Sequence, residues 1–244
     1  MAVLTVRPSD RPVVAQAIAD NSFLLEEAYN QESGVVQHIS AWQRDLRTRA
    51  WAYTFTQEWP VATQTHQLSY TIPLQRSASP TNTGLGDVAL NYRYQLRDQR
   101  GVAIAPRISL LVPTGSANRG LGSGHVGVQV NLPISVMVAP TLVTHLNAGA
   151  TRAGEMTTYN LGASAIWLAR ATFNVLVETV WTDVAGERAV LVNPGIRWAH
   201  NFASGLQVVP GLAYTVGVGP SGGARGAFLY LSFEHRFRPE TGRH

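Results

Sequence analysis

The sequence predicts an all-β protein, a closed antiparallel transmembrane β-barrel of about twelve strands with a short N-terminal helical segment. Three observations carry that prediction. Apolar and polar residues alternate with period two over stretches of roughly nine to eleven residues, the length a tilted strand needs to cross a bilayer. Charge is scarce: 14% of 244 residues are charged, against roughly 25% in an ordinary soluble domain. The six tryptophans fall near the ends of the alternating stretches, as two interfacial girdles require.

Taken in chain order, residues 1–34 read as a periplasmic leader. Its opening has no charged start followed by a long apolar run, but Ala15-Gln16-Ala17 has the small-x-small form of an export cleavage site. Within the leader, residues 21–32 predict a short helix. Asn21 and Ser22 can cap it, Glu26 and Glu27 suit its first turn, and Gly34 ends it. About ten residues are too few to hold a helix alone in water, so the segment is expected to dock at the periplasmic mouth through Phe23, Leu24, Ala28 and Tyr29 and narrow the bore.

The barrel is predicted over 35–237. The clearest strand runs from Asp87 to Arg97, with Val88, Leu90, Tyr92, Tyr94 and Leu96 on one face and Asp87, Ala89, Asn91, Arg93, Gln95 and Arg97 on the other. The same alternation recurs near 36–43, 50–58, 65–74, 102–112, 125–134, 140–149, 158–168, 172–182, 189–199, 205–216 and 226–237. Residues 120–151 contain no charge at all, and Pro133, Pro140 and the glycines forbid a continuous helix there. Short turns are expected near 59–64, 97–101, 135–139, 168–171 and 199–204. Longer Gly-, Ser- and Asn-rich loops are expected near 75–86, 113–124, 150–157, 183–188 and 217–225. Short turns on one side and longer loops on the other are the habit of outer-membrane barrels. Trp42, Trp51 and Trp181 then lie on the outer side, and Trp59, Trp167 and Trp198 on the inner. The last strand alternates into Phe237 and resembles the signal by which barrels are recognised for assembly, with a tail at 238–244 beyond it.

The remaining composition excludes other classes. Without cysteine there is no thiolate nucleophile, disulfide framework or Cys-based metal site. No window of 18 or more apolar residues exists, so helical spans are excluded. The basic residues are all Arg, scattered, with net charge +4, which does not favour nucleic acid as a partner. The string Gly122-Ser-Gly-His-Val-Gly127 matches G-x-G-x-x-G, yet a strand follows it where a dinucleotide site needs a helix, so it reads as an external loop. The histidines show no metal spacing. His38 and Ser40 share a strand face and raise the alternative of a lipid-hydrolysing barrel, for which no third residue is positioned.

Several segments resemble a family of bacterial outer-membrane transporters named for the meta-cleavage pathway of phenol degradation: residues 21–39 (NSFLLEEAYNQESGVVQHI), 57–60 (QEWP), 66–74 (HQLSYTIPL), 84–96 (GLGDVALNYRYQL) and 106–116 (PRISLLVPTGS). They span the first half of the chain; beyond about residue 125 only the pattern is shared. The resemblance implies a membrane barrel with a transport role and assigns no functional residues.

From these readings the chain is expected in the outer membrane of a Gram-negative cell, as a channel or transporter for passive uptake of small solutes. Its partners are expected to be membrane lipid and lipopolysaccharide, the solute and the barrel-assembly machinery. No catalytic residue, cofactor or metal site is predicted. A lipid-acting enzyme or a non-conducting structural barrel are the alternatives. Charges on the polar strand faces, Asp87, Arg93, Arg107, Glu178, Arg197, Glu234 and Arg236, are expected to line the pore, because a cation facing lipid at mid-membrane costs roughly 2–4 kcal/mol. More lumen Arg than acid implies a weak preference for anionic or aromatic-acid solutes.

Overall fold

The computed structural model describes residues 21–99, 101–202, 204, 206–236. Twelve long strands form one closed antiparallel barrel. They are β1 (Val35–Asp45), β2 (Trp51–Val61), β3 (Thr63–Arg76), β4 (Val88–Tyr94), β5 (Arg107–Val112), β6 (Gly127–Ala139), β7 (Leu142–Ala153), β8 (Met156–Arg170), β9 (Phe173–Val184), β10 (Glu187–Trp198), β11 (Gln207–Val218) and β12 (Arg225–Arg236). Each pairs with its neighbour in sequence, and β1 closes on β12 in continuous register from Val35↔Arg236 to Asp45↔Gly226. Closure leaves no edge strand, so the ladder satisfies the backbone internally, as a bilayer demands. Among the described residues no helix is long and apolar enough to cross a membrane.

The β4–β5 hairpin is broken and resumed. Arg97–Gln99 and Val102–Ile104 extend it, and Val102–Ile104 pairs onward to β6. The break includes Pro106, which has no N–H to give a ladder but whose carbonyl still accepts from Tyr94 N at 3.0 Å.

Register fixes which side chains point out. Leu229 and Leu231 on β12, Leu68 and Ile72 on β3, Leu90 on β4, Ile108 and Leu110 on β5 and Val128 and Val130 on β6 are all exposed on the outer surface. Their alternates, such as Asn91, Ser109, Asn131, Ser164 and Asn193, are buried in the lumen. An apolar outside around a polar inside is the reverse of a soluble β-protein and the arrangement of a membrane barrel. All six tryptophans share the outward parity, with Trp42, Trp51 and Trp181 toward one end and Trp59, Trp167 and Trp198 toward the other.

Two expectations about connections change. The segments near 150–157 and 183–188 are not long loops: β7–β8 and β9–β10 are joined by tight turns at Gly154-Glu155 and Ala185-Gly186. Ala185 and Gly186 both have positive φ, 53° and 90°, the two-residue geometry that matches strand twist. The turn placed near 135–139 moves to Pro140-Thr141, because the ladder of β6 continues through Ala139. What marks one end of the barrel is therefore the long connections at 77–87, where Thr83–Leu85 pairs back onto β3, and 113–126, with a shorter one at 219–224. Their end is called the loop end below, and the end carrying the starts of β1 and β3 the turn end.

The predicted helix at 21–32 is absent. That segment runs without helical hydrogen bonds into the barrel lumen. The leader residues 1–20, including the Ala15-Gln16-Ala17 site, and the tail with Phe237 and 238–244 lie outside the described residues.

Candidate functional site

The segment preceding β1 crosses the bore. Asn21 lies against β10, where Arg197 Nη1 donates to its carbonyl, and Asn30 lies against β3, where its side-chain amide donates to the carbonyls of Gln64 and Thr65 at 2.8 and 3.0 Å. Asn21, Ser22, Leu25, Ala28 and Asn30 are buried, Ala28 completely.

Its backbone explains why no helix forms. Three successive amides, Phe23, Leu24 and Leu25, converge on one oxygen of Glu178 from β9 at 2.9, 2.9 and 3.3 Å. Glu26 N donates to Asn147, Ala28 N to Ser135, Asn30 N to Gln95 and Gln31 N to Gln67. The carbonyls are served in the same way: Asn147 donates to Glu26 O, Gln95 to Ala28 O, and Arg93 to both Glu27 O and Tyr29 O. Every backbone group needs a partner once buried. Here lumen side chains take the place of the i−4 carbonyls of a helix that would be marginal by itself.

Side chains seat the segment as firmly. Phe23 packs against the rings of Phe228 and Tyr230 on β12 at 5.1 and 5.4 Å between centroids. The wall beside these rings is made of glycine, Gly211 being the cross-strand partner of Tyr230: a Cβ at Gly195 or Gly211 would stand 2.6 or 2.7 Å from the Phe23 ring, and one at Gly162 would collide with Leu25. These three glycines are sockets for two apolar side chains of the same molecule.

Arg93, Arg107, Glu178, Arg197 and Glu234 lie on the inward parity of their strands and Arg236 at the turn end, each engaged differently. Arg93 and Arg107 are direct cross-strand partners, an arrangement that repels unless countercharge is supplied. The segment supplies it. Glu26 takes Arg107 in a bidentate pair, Nη2 to Oε1 at 2.6 Å and Nε to Oε2 at 2.8 Å. Arg93 binds Asn30 and two segment carbonyls, with Glu58 of β2 at 3.8 Å. Burial pushes the Glu26 carboxyl upward, but the Arg107 guanidinium, with Arg93 behind it, outweighs this and holds it below its ordinary value. Glu178 accepts the three amides described above. Arg197 also lies over the Tyr230 ring at 4.9 Å. Glu234 accepts from Gln37 at 2.6 Å, and Arg236 meets Glu32 of the segment at 3.6 Å near the turn end.

Asp87 does something else. Its carboxylate accepts Gly115 N, Ser123 N and Ser123 Oγ at 3.0, 2.7 and 2.8 Å, so it ties down the long loop between β5 and β6. Gly122 of the G-x-G-x-x-G string lies so close that a Cβ there would strike the Asp87 carboxylate. The string serves a close backbone approach within a loop and opens no helix. Beneath the loop end a cavity of about 350 Å³ remains, with Gln43, Asp45, Ala52, Gln75, Leu191 and Thr215 among its lining.

The residues that sequence reasoning missed are the polar lumen groups that receive the segment: Gln67, Gln95, Ser135, Asn147 and Ser164. One signal was available. Residues 21–34 hold three acids, Glu26, Glu27 and Glu32, and no basic residue, the complement of a lumen rich in Arg. The Ser–His alternative is not assembled: Ser40 Oγ is 3.0 Å from Tyr53 OH, while His38 Nε2 faces His235 Nε2 at 3.2 Å.

No protein-family model matches the chain, and no curated protein matches it. Solved structures do. An outer-membrane channel from Pseudomonas putida F1 is similar over 86% of this chain and 98% of its own, with a TM-score of 0.62 and 15% identity. The KdgM porin is similar over 83% of this chain and 99% of its own, with a TM-score of 0.57 and 8% identity. The NanC porin has the same TM-score and identity, over 83% of this chain and 100% of its own. At these identities the likeness is one of fold: a barrel of the outer-membrane channel type.

Proposed function

We propose that the protein is an outer-membrane channel for small solutes whose passage is controlled by its own residues 21–34. The observation that carries the reading is the segment seated across the bore of a closed barrel, held by hydrogen bonds to β3, β4, β5, β6, β7, β9 and β10. The fold shared with outer-membrane channels supports the same reading. The loop end then faces outward and the turn end the periplasm, and solute entering from outside meets the 350 Å³ cavity before the segment.

A preference for anions does not follow while the segment is seated, since Arg93, Arg107 and Arg197 are all engaged by it. The lumen arginines become available to solute only when it moves. The resemblance of the segments quoted above to the phenol meta-pathway family favours an aromatic solute. The reading is of a channel and not of a lipid-acting enzyme; in its support Ser40 and His38 contact other partners than each other, and Ser135, 2.6 Å from His145 Nδ1, is buried in the lumen and accepts from Ala28 N.

The test is solute flux into liposomes carrying the full chain or a chain lacking residues 1–32. The full chain is expected to admit small solutes slowly and the truncated one faster. Liposomes as tight as protein-free controls in both cases would refute the channel.

A further inference from the structure

We propose that the outward surface at the loop ends of β12, β1, β2 and β3 binds the phosphate groups of a phosphorylated glycolipid of the outer leaflet. The proposal rests on the outer-membrane reading above, which places this end outside. Register puts Arg44, Trp51 and Arg76 side by side on three adjacent strands, through Arg44↔Trp51 and Trp51↔Arg76. On the other side of β1, Arg44 pairs with Ala227, and Arg225 stands two residues further along β12. All three arginines share the parity of the outward Leu74 and Leu229, and all three are exposed. Arg47 and Arg49 lie in the loop directly above.

Among the described residues none of these five guanidinium groups lies in a salt bridge, though Asp45 feels the charge of Arg47 and Arg225 Nη1 donates to Ala224 O at 2.8 Å. The hairpin's own acid, Asp45, faces the lumen side and is spent on the turn, accepting Arg47 N and Thr48 N at 2.8 and 2.6 Å. Cations crowded in this way repel one another, and an anion from outside relieves that repulsion. The patch is one-sided. Elsewhere at the loop end Arg188 is paired with Asp183 at 3.0 Å, and Arg119 donates to Thr83 O. Arg152 on β7 has Val128 and Thr157 as its cross-strand neighbours, with no second arginine in register.

The surroundings favour a lipid over a free anion. Trp51 stands level with Arg44 and Arg76, and one outward position below it Trp42, Tyr53, Leu74 and Leu229 lie side by side, with Ile72 below them, on the outward apolar surface on which acyl chains lie. Arg44 and Arg76 are two strands apart, about 10 Å, a spacing suited to a head group with more than one phosphate. Guanidinium forks bind phosphate oxygens in pairs.

The experiment uses the full chain purified in detergent, with bisphosphorylated lipid A, or lipid A stripped of its phosphates, as the probe, and native mass spectrometry as the readout. Retention of the phosphorylated form is expected, falling at least tenfold in Arg44→Gln/Arg76→Gln/Arg225→Gln and about two- to fivefold in the single variant Arg76→Gln, in line with the field near an anionic leaflet. The dephosphorylated lipid should be held weakly by every protein. Equal retention of the two lipids, or of one lipid by wild type and triple variant, overturns the site. Displacement by millimolar inorganic phosphate overturns its assignment to a lipid. Liposome flux, measured on the same preparations, reports separately on the channel: if flux is absent while retention still depends on the arginines, the channel reading fails and the glycolipid site stands. If the triple variant does not assemble, Arg76→Gln alone decides, since it changes one strand-end side chain.

Discussion

Replacing Glu178 with alanine should release the first part of the lumen segment without unfolding the barrel. Glu178 Oε1 receives three consecutive amides of the segment, and Oε2 is held in place by Asn193 at 2.9 Å. A hydrogen bond to a charged group contributes roughly 1.5–3 kcal/mol. Three donors sharing one oxygen contribute less than three times that, so about 3 kcal/mol is a fair figure for the cluster. Such a loss raises the released fraction of residues 21–25 roughly 150-fold. The chain has no cysteine, so a thiol placed by Ser22→Cys is the sole target for a maleimide. Ser22 is buried, with its hydroxyl 3.0 Å from Ser164 Oγ, and its labelling rate follows the released fraction when reclosing is fast. Labelling should be slow in the Glu178 background and about a hundredfold faster with Glu178→Ala. A thiol at Ala28→Cys should respond far less, because Ser135 and Gln95 anchor that residue independently. Equal labelling of Ser22→Cys with and without Glu178, or fast labelling in both, would show that the segment is not held as described.

Three further outcomes follow from the same contacts. Glu26→Gln removes the countercharge of Arg107 and should shift the reversal potential of the open channel toward anions, while Arg107→Ala shifts it toward cations; a double-mutant cycle read through Ser22→Cys labelling should give a coupling of about 1–3 kcal/mol. Because the seated Glu26 carboxyl lies below its ordinary value, the part of the hold that Glu26 supplies is present above that ordinary value and is lost as pH falls through the lowered one; Glu26→Gln should remove that part of the acid-range rise in flux, and a rise identical in wild type and Glu26→Gln would exclude Glu26 as a cause. Gly211→Val adds side-chain atoms where even a Cβ would stand 2.7 Å from the Phe23 ring, so it should expel Phe23 and speed solute entry, with heat-modifiable gel migration unchanged as the check on assembly.

Much of the barrel was legible in the sequence because its signals are local. Period two assigned Leu90, Tyr92 and Tyr94 to one face and Asn91 and Arg93 to the other without knowledge of any neighbour, and the structure keeps that division. Tryptophan placement was legible for the same reason: the membrane interfaces lie at strand ends, and strand ends can be read from alternation. Turn lengths were less so. Gly154-Glu155 and Ala185-Gly186 read as parts of long polar loops because the sequence does not say how far a ladder continues past the apolar band.

The lumen segment marks the limit. Capping residues, first-turn acids and a terminating glycine all favoured a helix at 21–32, and each of those preferences contributes about 1 kcal/mol or less. The chain instead extends across the bore, because its amides find acceptors at Asn147, Glu178 and Ser135, between 107 and 155 residues away in sequence. Local propensity fixed what the strands are and which way their side chains face. Where the preceding residues go, which charges neutralise Arg93 and Arg107, and that Asp87 ties a loop down were decided only when barrel closure brought those distant groups into one enclosed space. There, leaving a backbone amide without a partner costs more than any helix preference contributes.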